Sequence, residues 1–169
     1  GDLGQPDQPL LRDPTIIHGA DFVITESTYG DRLHQLYDKE TALIEIVNET
    51  MDCGGNLIIP SFAVGRTQTL LYYFYRLHCE GRLDPDIPII INSPLAINAT
   101  RVFLKNFRDF DEESLKVFGK DGKVPDFAQV HLCETAAESR ALNTSEGSAI
   151  IISASGMADA GRVLHHLKR

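Results

Sequence analysis

The sequence predicts an α/β fold in which a parallel sheet is flanked by helices on both sides. Short apolar segments alternate along the chain with segments of helical periodicity. The apolar segments, residues 87–91 and 148–153 being the clearest, are apolar on both faces, as strands inside a parallel sheet are. Several of them end in residues that favour a helix start. In such sheets ligands bind beyond the carboxyl ends of the strands, so functional residues are sought there.

The elements follow in a regular order. Strands are predicted at residues 21–25, 57–62, 87–91, 130–133 and 148–153. The first helix is predicted at residues 38–51, before Gly54-Gly55, and the second at residues 66–79. Ser93 as N-cap with Pro94 at the first helical position starts the third. A helical turn and loop are expected within residues 110–126, a helix after the capping box Thr135 to Glu138, and a last helix at residues 159–168.

Length and composition indicate one globular domain, or one with a small appendage. The chain has 169 residues, 43% of them hydrophobic, and a formal net charge of −8. That charge argues mildly against nucleic-acid binding, whose usual footprint is a basic face, although a local basic strip is allowed. The three cysteines, Cys53, Cys79 and Cys133, have no metal-ligand spacing and are expected to be buried, reduced thiols. The apolar runs are too short to span a membrane, and no signal peptide is visible, so a cytoplasmic protein is expected.

Three strand ends carry small or polar residues that lead into a helix. They are residues 60–68, 92–95 and 153–157. Helix N-termini carry free N–H groups, so several at one edge would suit a phosphate or carboxylate. Gly65 and Gly156 would let the backbone approach a ligand, and Arg66 could clamp it. Well-capped turns without a ligand explain the same pattern, and that interpretation stays open.

Two acids and six histidines complete the set of candidates. Glu26 follows the first predicted strand, where it could orient a metal-bound histidine or simply cap a turn. Asp2 lies near a glycine on either side and could be an oxygen ligand. The histidines lack HxH or HExxH spacing. His165 and His166 are adjacent on a helix, point in different directions, and are interpreted as surface or packing residues.

Five strings in order cover almost the whole chain and resemble β-CASP nucleases of the metallo-β-lactamase superfamily. They are Gly1-Asp2-Leu3-Gly4, residues 25–30 (TESTYG), residues 59–68 (IPSFAVGRTQ), residues 93–96 (SPLA) and residues 153–157 (SASGM). This family includes the endonuclease subunit of the pre-mRNA 3′-end cleavage machinery and, more distantly, RNase J. The resemblance implies that residues 1–30 end a metallo-β-lactamase half and that residues 31–169 form a Rossmann-like β-CASP domain.

The resemblance also implies a function. The full-length protein would be a ribonuclease that uses two zinc ions to hydrolyse RNA, and this piece would form its substrate-covering domain. Asp2 would be a metal ligand and Glu26 a catalytic acid. Arg66, Ser93, Ser155 and Gly156 would contact the substrate. RNA is the expected partner, and a homodimer stays open.

The chain also departs from the complete pattern of the family. The HxHxDH ligands would precede Gly1 and two further histidines would follow Arg169, so the chain is expected to be an internal piece that is inactive alone. Asn92 stands where many relatives carry Asp. One alternative is a stand-alone module that binds a nucleotide or other anion at the strand ends. A serine hydrolase built on Ser155 is a weaker one, because Ser153 and Met157 replace the glycines of GxSxG.

Overall fold

The computed structural model describes residues 4–118, 127–145 and 147–168. Its helices are α1 (Lys39–Asp52), α2 (Arg66–Cys79), α3 (Pro94–Lys105), α4 (Glu112–Phe118), α5 (Ala136–Ala141) and α6 (Val163–Leu167), with a 3₁₀ turn at Phe107–Asp109. Its strands are β1 (Leu57–Pro60), β2 (Ile89–Asn92), β3 (Val130–Leu132) and β4 (Ile150–Ser153). The helix-flanked parallel α/β fold predicted from the sequence is confirmed.

The four strands form one parallel sheet in the order β1-β4-β2-β3. The register places Ile58 beside Ile151 and Ile151 beside Ile90, so the apolar runs of the neighbouring strands β1, β4 and β2 form one continuous layer. Residues of β2 and β4 are buried throughout. Both faces must therefore be covered, which explains why these strands are unbroken runs of isoleucine.

Two clusters of side chains cover the two faces. On one face Ile89, Ile150 and Ile152 pack against α1 and α2, whose Val47 and Phe74 are fully buried. On the other face Ile90 and Ile151 pack with Cys133 and, more peripherally, with Leu142 at the end of α5. Successive side chains of a strand point to opposite faces, so the triple isoleucines supply both clusters at once.

Residues 21–25, predicted as a strand, are not one. They are exposed and irregular, with Phe22 91% and Ile24 88% accessible, and the four-stranded sheet does not include them. An apolar run favours extended backbone, but a strand becomes stable only where a neighbouring strand and a packed face receive it. The prediction at residues 21–25 was therefore wrong for this chain.

Other differences are smaller. The last helix, predicted at residues 159–168, is confined to Val163–Leu167, because Gly161 adopts a φ of +80° just before it. Cys133 is buried as expected, but Cys53 and Cys79 are exposed, since they lie at the ends of helices rather than in the core. None of the described helices is long and apolar enough to cross a membrane.

Candidate functional site

The carboxyl ends of three neighbouring strands lie in one row. Pro60 of β1 pairs with Ser153 of β4, and Ser153 pairs with Asn92 of β2. The segments that follow these residues therefore emerge side by side at one edge of the sheet, hereafter the carboxyl edge. This is where an open parallel sheet binds its ligands.

The loop from β1 to α2 is held rigidly by side chains of the helix that it precedes. Thr67 Oγ1 donates to the Phe62 carbonyl at 2.8 Å. Gln68 Nε2 donates to the Ala63 carbonyl at 3.2 Å and to Thr100 Oγ1 of α3 at 2.9 Å, while its Oε1 accepts from Gly65 N at 2.7 Å. Because the backbone groups of the loop are bonded in this way, the loop keeps one conformation with little entropy left to lose on binding.

Gly65 makes the turn within this loop. Its φ of 84° and ψ of −72° are those of a classic γ-turn, which Arg66 N closes by donating to the Val64 carbonyl at 3.2 Å. Glycine takes this conformation without the steric penalty of a Cβ. The sequence suggested that Gly65 serves close approach of a ligand, whereas its structural role is to reverse the chain before α2.

Asn92, at the end of β2, lies at the centre of a buried polar network. Its side chain is fully buried, its Nδ2 donates to Ser139 Oγ at 2.9 Å, and its Oδ1 accepts from Arg162 at 2.9 Å. Asn92 Nδ2 also lies 2.6 Å from His166 Nε2. The bond from Arg162 fixes the orientation of the amide, so Nδ2 faces the imidazole and Nε2 must accept.

The other ring nitrogen of His166 completes the assignment. Nδ1 lies 2.8 Å from Asn143 Oδ1 and donates to it, so His166 is the neutral Nδ1–H tautomer. Burial, together with the neighbouring His165, holds the pKa of His166 below its ordinary value. His166 thus packs inside the protein whereas His165 is exposed, and the interpretation of both as packing or surface residues is consistent with this arrangement.

Arg162 connects this network to the backbone at the end of β3. Its guanidinium donates to the carbonyls of Cys133 at 3.0 Å and Glu134 at 2.9 Å, in addition to Asn92. These bonds join the strand ends of β2 and β3 to the segment that enters α6. Hydrogen bonds to three acceptors stabilise the charged guanidinium of Arg162 in this position. A buried charged group without such partners would instead lower the stability of the fold.

The loop after β4 is closed by local bonds. Ser155 Oγ donates to Asp159 Oδ1 at 2.7 Å and accepts from Met157 N at 3.3 Å. Gly156 lies against Phe62 of the neighbouring loop, and a Cβ at Gly156 would be 2.8 Å from both the backbone N and the Cδ2 of Phe62. The missing side chain of Gly156 thus lets two loops of the carboxyl edge touch.

Each predicted substrate contact is found at the carboxyl edge. Arg66 is exposed at the first turn of α2, and its guanidinium makes no hydrogen bond or ion pair with any described residue. Ser93 is buried, and its hydroxyl caps α3 by accepting from Ala96 N at 3.2 Å. Ser155 bonds Asp159 rather than a histidine. Substrate contacts by Arg66, Ser93, Ser155 and Gly156 stay predictions, and Arg66 is the most available of the three side chains among them.

The helix starts do not converge as the sequence suggested. The start of α3 is capped by Ser93, and α6 begins only at Val163, well beyond the end of β4. Ser153 ends β4 and residues 154–157 form a turn, so residues 153–157 do not lead directly into a helix. This arrangement does not favour the anion-binding module as an alternative.

Of the two predicted acids, Glu26 is among the residues that the structure describes. Glu26 is exposed, and its carboxylate accepts from Thr28 N at 2.8 Å, a local bond that lowers the pKa of Glu26. Asp2 lies outside the described residues. Within residues 4–118, 127–145 and 147–168, no three His, Cys, Asp or Glu side chains are grouped so that they could hold a metal ion. The described residues therefore do not fit a metal centre.

Several residues that form the polar network at this edge were not predicted from the sequence. Arg162, Ser139 and Asn143 received no role, and Asn92 was noted only as a substitution for Asp. The available signal was an asparagine that directly follows three isoleucines, because a buried amide requires partners. Those partners come from other elements, so their identity was not visible in the chain.

The protein is thus a helix-flanked parallel α/β domain, and its candidate site lies at the carboxyl edge of the sheet. The sequence pattern of the Beta-Casp domain family matches residues 67–169. The chain belongs to the Beta-Casp domain family, and the resemblance noted from the five strings is confirmed.

Two curated relatives match nearly the whole chain, and a third matches more than half of it. Ribonuclease TTHA0252 of Thermus thermophilus is 39% identical over 99% of this chain and 38% of its own length. An RNase J-like protein of Methanocaldococcus jannaschii is 33% identical over 99% of this chain and 39% of its own. Cleavage and polyadenylation specificity factor 73 of Drosophila melanogaster is 36% identical over 59% of this chain and 15% of its own. The chain thus spans about two fifths, or less, of the length of these relatives.

Proposed function

We propose that this chain is the substrate-covering β-CASP part of a metal-dependent RNA-processing nuclease, and that the full-length protein hydrolyses RNA phosphodiester bonds. One observation carries the proposal: the likeness to a ribonuclease at 39% identity extends over 99% of the chain, including the residues that precede the Beta-Casp match. The proposal includes a domain boundary. Residues 1–30 would end the metallo-β-lactamase half, and residues 31–169 would form the β-CASP domain.

The geometry supports a role in substrate binding. The carboxyl edge is a row of strand ends from which rigid loops emerge, with the cation of Arg66 exposed on one of them. A preformed loop loses little entropy when it binds, and a guanidinium suits a phosphate. The one exposed cation of Arg66 on this loop is a modest contribution in a chain of net charge −8, so the rest of the binding energy must come from elsewhere.

The metal is proposed to be zinc, as two ions. Because the described residues do not fit a metal centre, its ligands are proposed to be Asp2 together with residues of the full-length protein that flank this chain. Glu26 would then act near those ligands. This chain alone is expected to be inactive, and the full-length protein is proposed to be cytoplasmic, with self-association as a further proposal.

The test compares the full-length protein with this chain on 5′-labelled single-stranded RNA. The full-length protein is expected to cleave, to lose activity in EDTA and to regain it with zinc, while this chain does not cleave. Glu26→Gln in the full-length protein is expected to lower the rate about a hundredfold or more, as loss of a catalytic acid does. Asp21→Asn is the matched control, since Asp21 is an exposed acid of the same segment.

Two results would contradict the proposal. One is RNA that stays intact with zinc-loaded, folded full-length protein. The other is cleavage that is indifferent to EDTA. Equal rates for Glu26→Gln and Asp21→Asn would leave the nuclease in place and remove the role proposed for Glu26.

A further inference from the structure

The carboxyl edge exposes apolar side chains that the chain itself leaves uncovered. Phe62 is 58% accessible, Val64 60%, Leu95 64% and Met157 71%. They lie directly after β1, β2 and β4, which are neighbours in the sheet. A group of exposed apolar residues at the ligand-binding edge of a sheet indicates contact with another molecule.

Phe62 is the most firmly held member of this group. Its carbonyl accepts from Thr67 Oγ1, and the following carbonyl, that of Ala63, accepts from Gln68. Ser61 N, just before it, extends the sheet by donating to the Ser153 carbonyl at 2.9 Å. The backbone at Phe62 is therefore fixed on both sides, although the ring itself is largely exposed.

One side of the Phe62 ring rests on a glycine. A Cβ at Gly156 would lie 2.8 Å from the ring carbon Cδ2 and 3.1 Å from Cε2, so any larger residue would displace the ring. The Cδ2–Cε2 side of the ring therefore lies against Gly156, while the rest of the ring is exposed to solvent. An exposed aromatic ring with one side supported is suited to stacking against a base.

We infer that Phe62, supported by Gly156, stacks against an unpaired base of single-stranded RNA. The inference rests on the proposed function and adds a base-binding position to it. The exposed guanidinium of Arg66 lies four residues further on, at the start of α2. An apolar ring and a nearby cation complement the two parts of a nucleotide, its base and its phosphate. Stacking is tolerant of sequence because every base has a π-face.

The experiment titrates the 169-residue chain, in EDTA, with hexauridylate and follows backbone amide shifts by NMR. Shifts are expected at residues 62–66 and 155–157. Phe62→Ala is expected to weaken binding at least about fivefold, since one stacked base contributes about 1–3 kcal/mol. Phe62→Tyr is expected to keep the affinity. Val102→Ala is the control, because Val102 of α3 has the same accessible fraction, 58%, as Phe62.

A second probe separates the base from the backbone. A ribose-phosphate oligomer of equal length without bases is expected to bind equally weakly to the wild type and to Phe62→Ala. Three results would overturn the inference: no shifts with hexauridylate, an unchanged affinity in Phe62→Ala, or equal affinity of the wild type for both probes. A fourth result would also overturn the inference: the wild type self-associates, Phe62→Ala abolishes this self-association, and neither binds RNA. The exposed apolar residues would then form a protein-docking surface.

The two proposals fail separately. Cleavage by the full-length protein without Phe62-dependent binding would remove only the stacking platform. Phe62-dependent binding without cleavage by the full-length protein would remove the nuclease and leave a base-binding surface.

Discussion

Asn92 Nδ2 lies 2.6 Å from His166 Nε2, and both side chains are buried although the residues are 74 positions apart in the chain. The amide orientation is set by Arg162, so the imidazole must accept at Nε2 and therefore be neutral. The groups around His166 are Asn92 on β2, Ser139 of α5 and Asn143 beyond it, the cation Arg162, and His165 on α6 itself. No carboxylate among the hydrogen-bond partners of this network offsets a charge on His166.

Stability is expected to fall as pH drops below about 6.5, the ordinary pKa of histidine. The folded-state pKa of His166 is lowered, chiefly by burial, so the unfolded chain binds more protons between the two values. Its contribution to the free energy of unfolding is thus complete above the unfolded-state pKa and decreases as pH falls toward the folded-state pKa. Urea unfolding between pH 5 and 8 measures it. His166→Gln should flatten this dependence and His165→Gln should not; equal slopes in both variants would contradict the prediction.

Replacing Asn92 by Asp is expected to convert His166 from the neutral to the positively charged form. A carboxylate beside Nε2 can only accept, so the ring must donate, and the pKa of His166 rises. Long-range ¹H–¹⁵N spectra of the imidazole at pH 7 should show the Nδ1–H tautomer in the wild type and the doubly protonated ring in Asn92→Asp. Asn98→Asp, on the exposed side of α3, is the control. A neutral His166 in Asn92→Asp would show that the buried amide does not set the tautomer.

Gly156→Ala is expected to destabilise the chain by about 1–3 kcal/mol, the usual cost of overpacking. The new methyl would meet the backbone N of Phe62 at 2.8 Å, which a side-chain rotation does not relieve. Gly19→Ala is the matched control, since nothing lies within 4 Å of its Cβ position. Denaturant midpoints of both variants measure the difference. Equal midpoints would show that the two loops of the carboxyl edge do not touch in solution.

Two phenylalanines test where the core lies. Phe74 is fully buried beneath the sheet, and Phe74→Ala is expected to cost about 3–5 kcal/mol. Phe22 is 91% accessible, so Phe22→Ala is expected to change the free energy of unfolding by less than about 0.5 kcal/mol. Chemical denaturation measures both. A large cost for Phe22→Ala would mean that residues 21–25 are packed in the folded chain after all.

The sequence alone was sufficient for the local elements. Isoleucine runs, Ser93 before Pro94, and the capping box of Thr135 and Glu138 each act over a few residues, and each is present in the structure as predicted. The bounds of α2 agree with prediction, because Gly65 ends the preceding loop and the helical pattern ends at Cys79. Residues 21–25 show the limit of such patterns, because a strand also depends on a neighbour that the segment does not encode.

The chain by itself therefore determined the fold class, the order of elements from residue 38 onward and the edge at which to look, since these follow from periodicity and capping between near neighbours. The tertiary structure decided which side chains are available there. Ser93 is occupied as a cap, Gly156 supports Phe62, and Asn92 is bound to His166 and Arg162. These pairings join residues up to 94 positions apart, as Gly156 and Phe62 are. They depend on strand order and register, which bring distant segments within hydrogen-bonding distance and which no local pattern specifies.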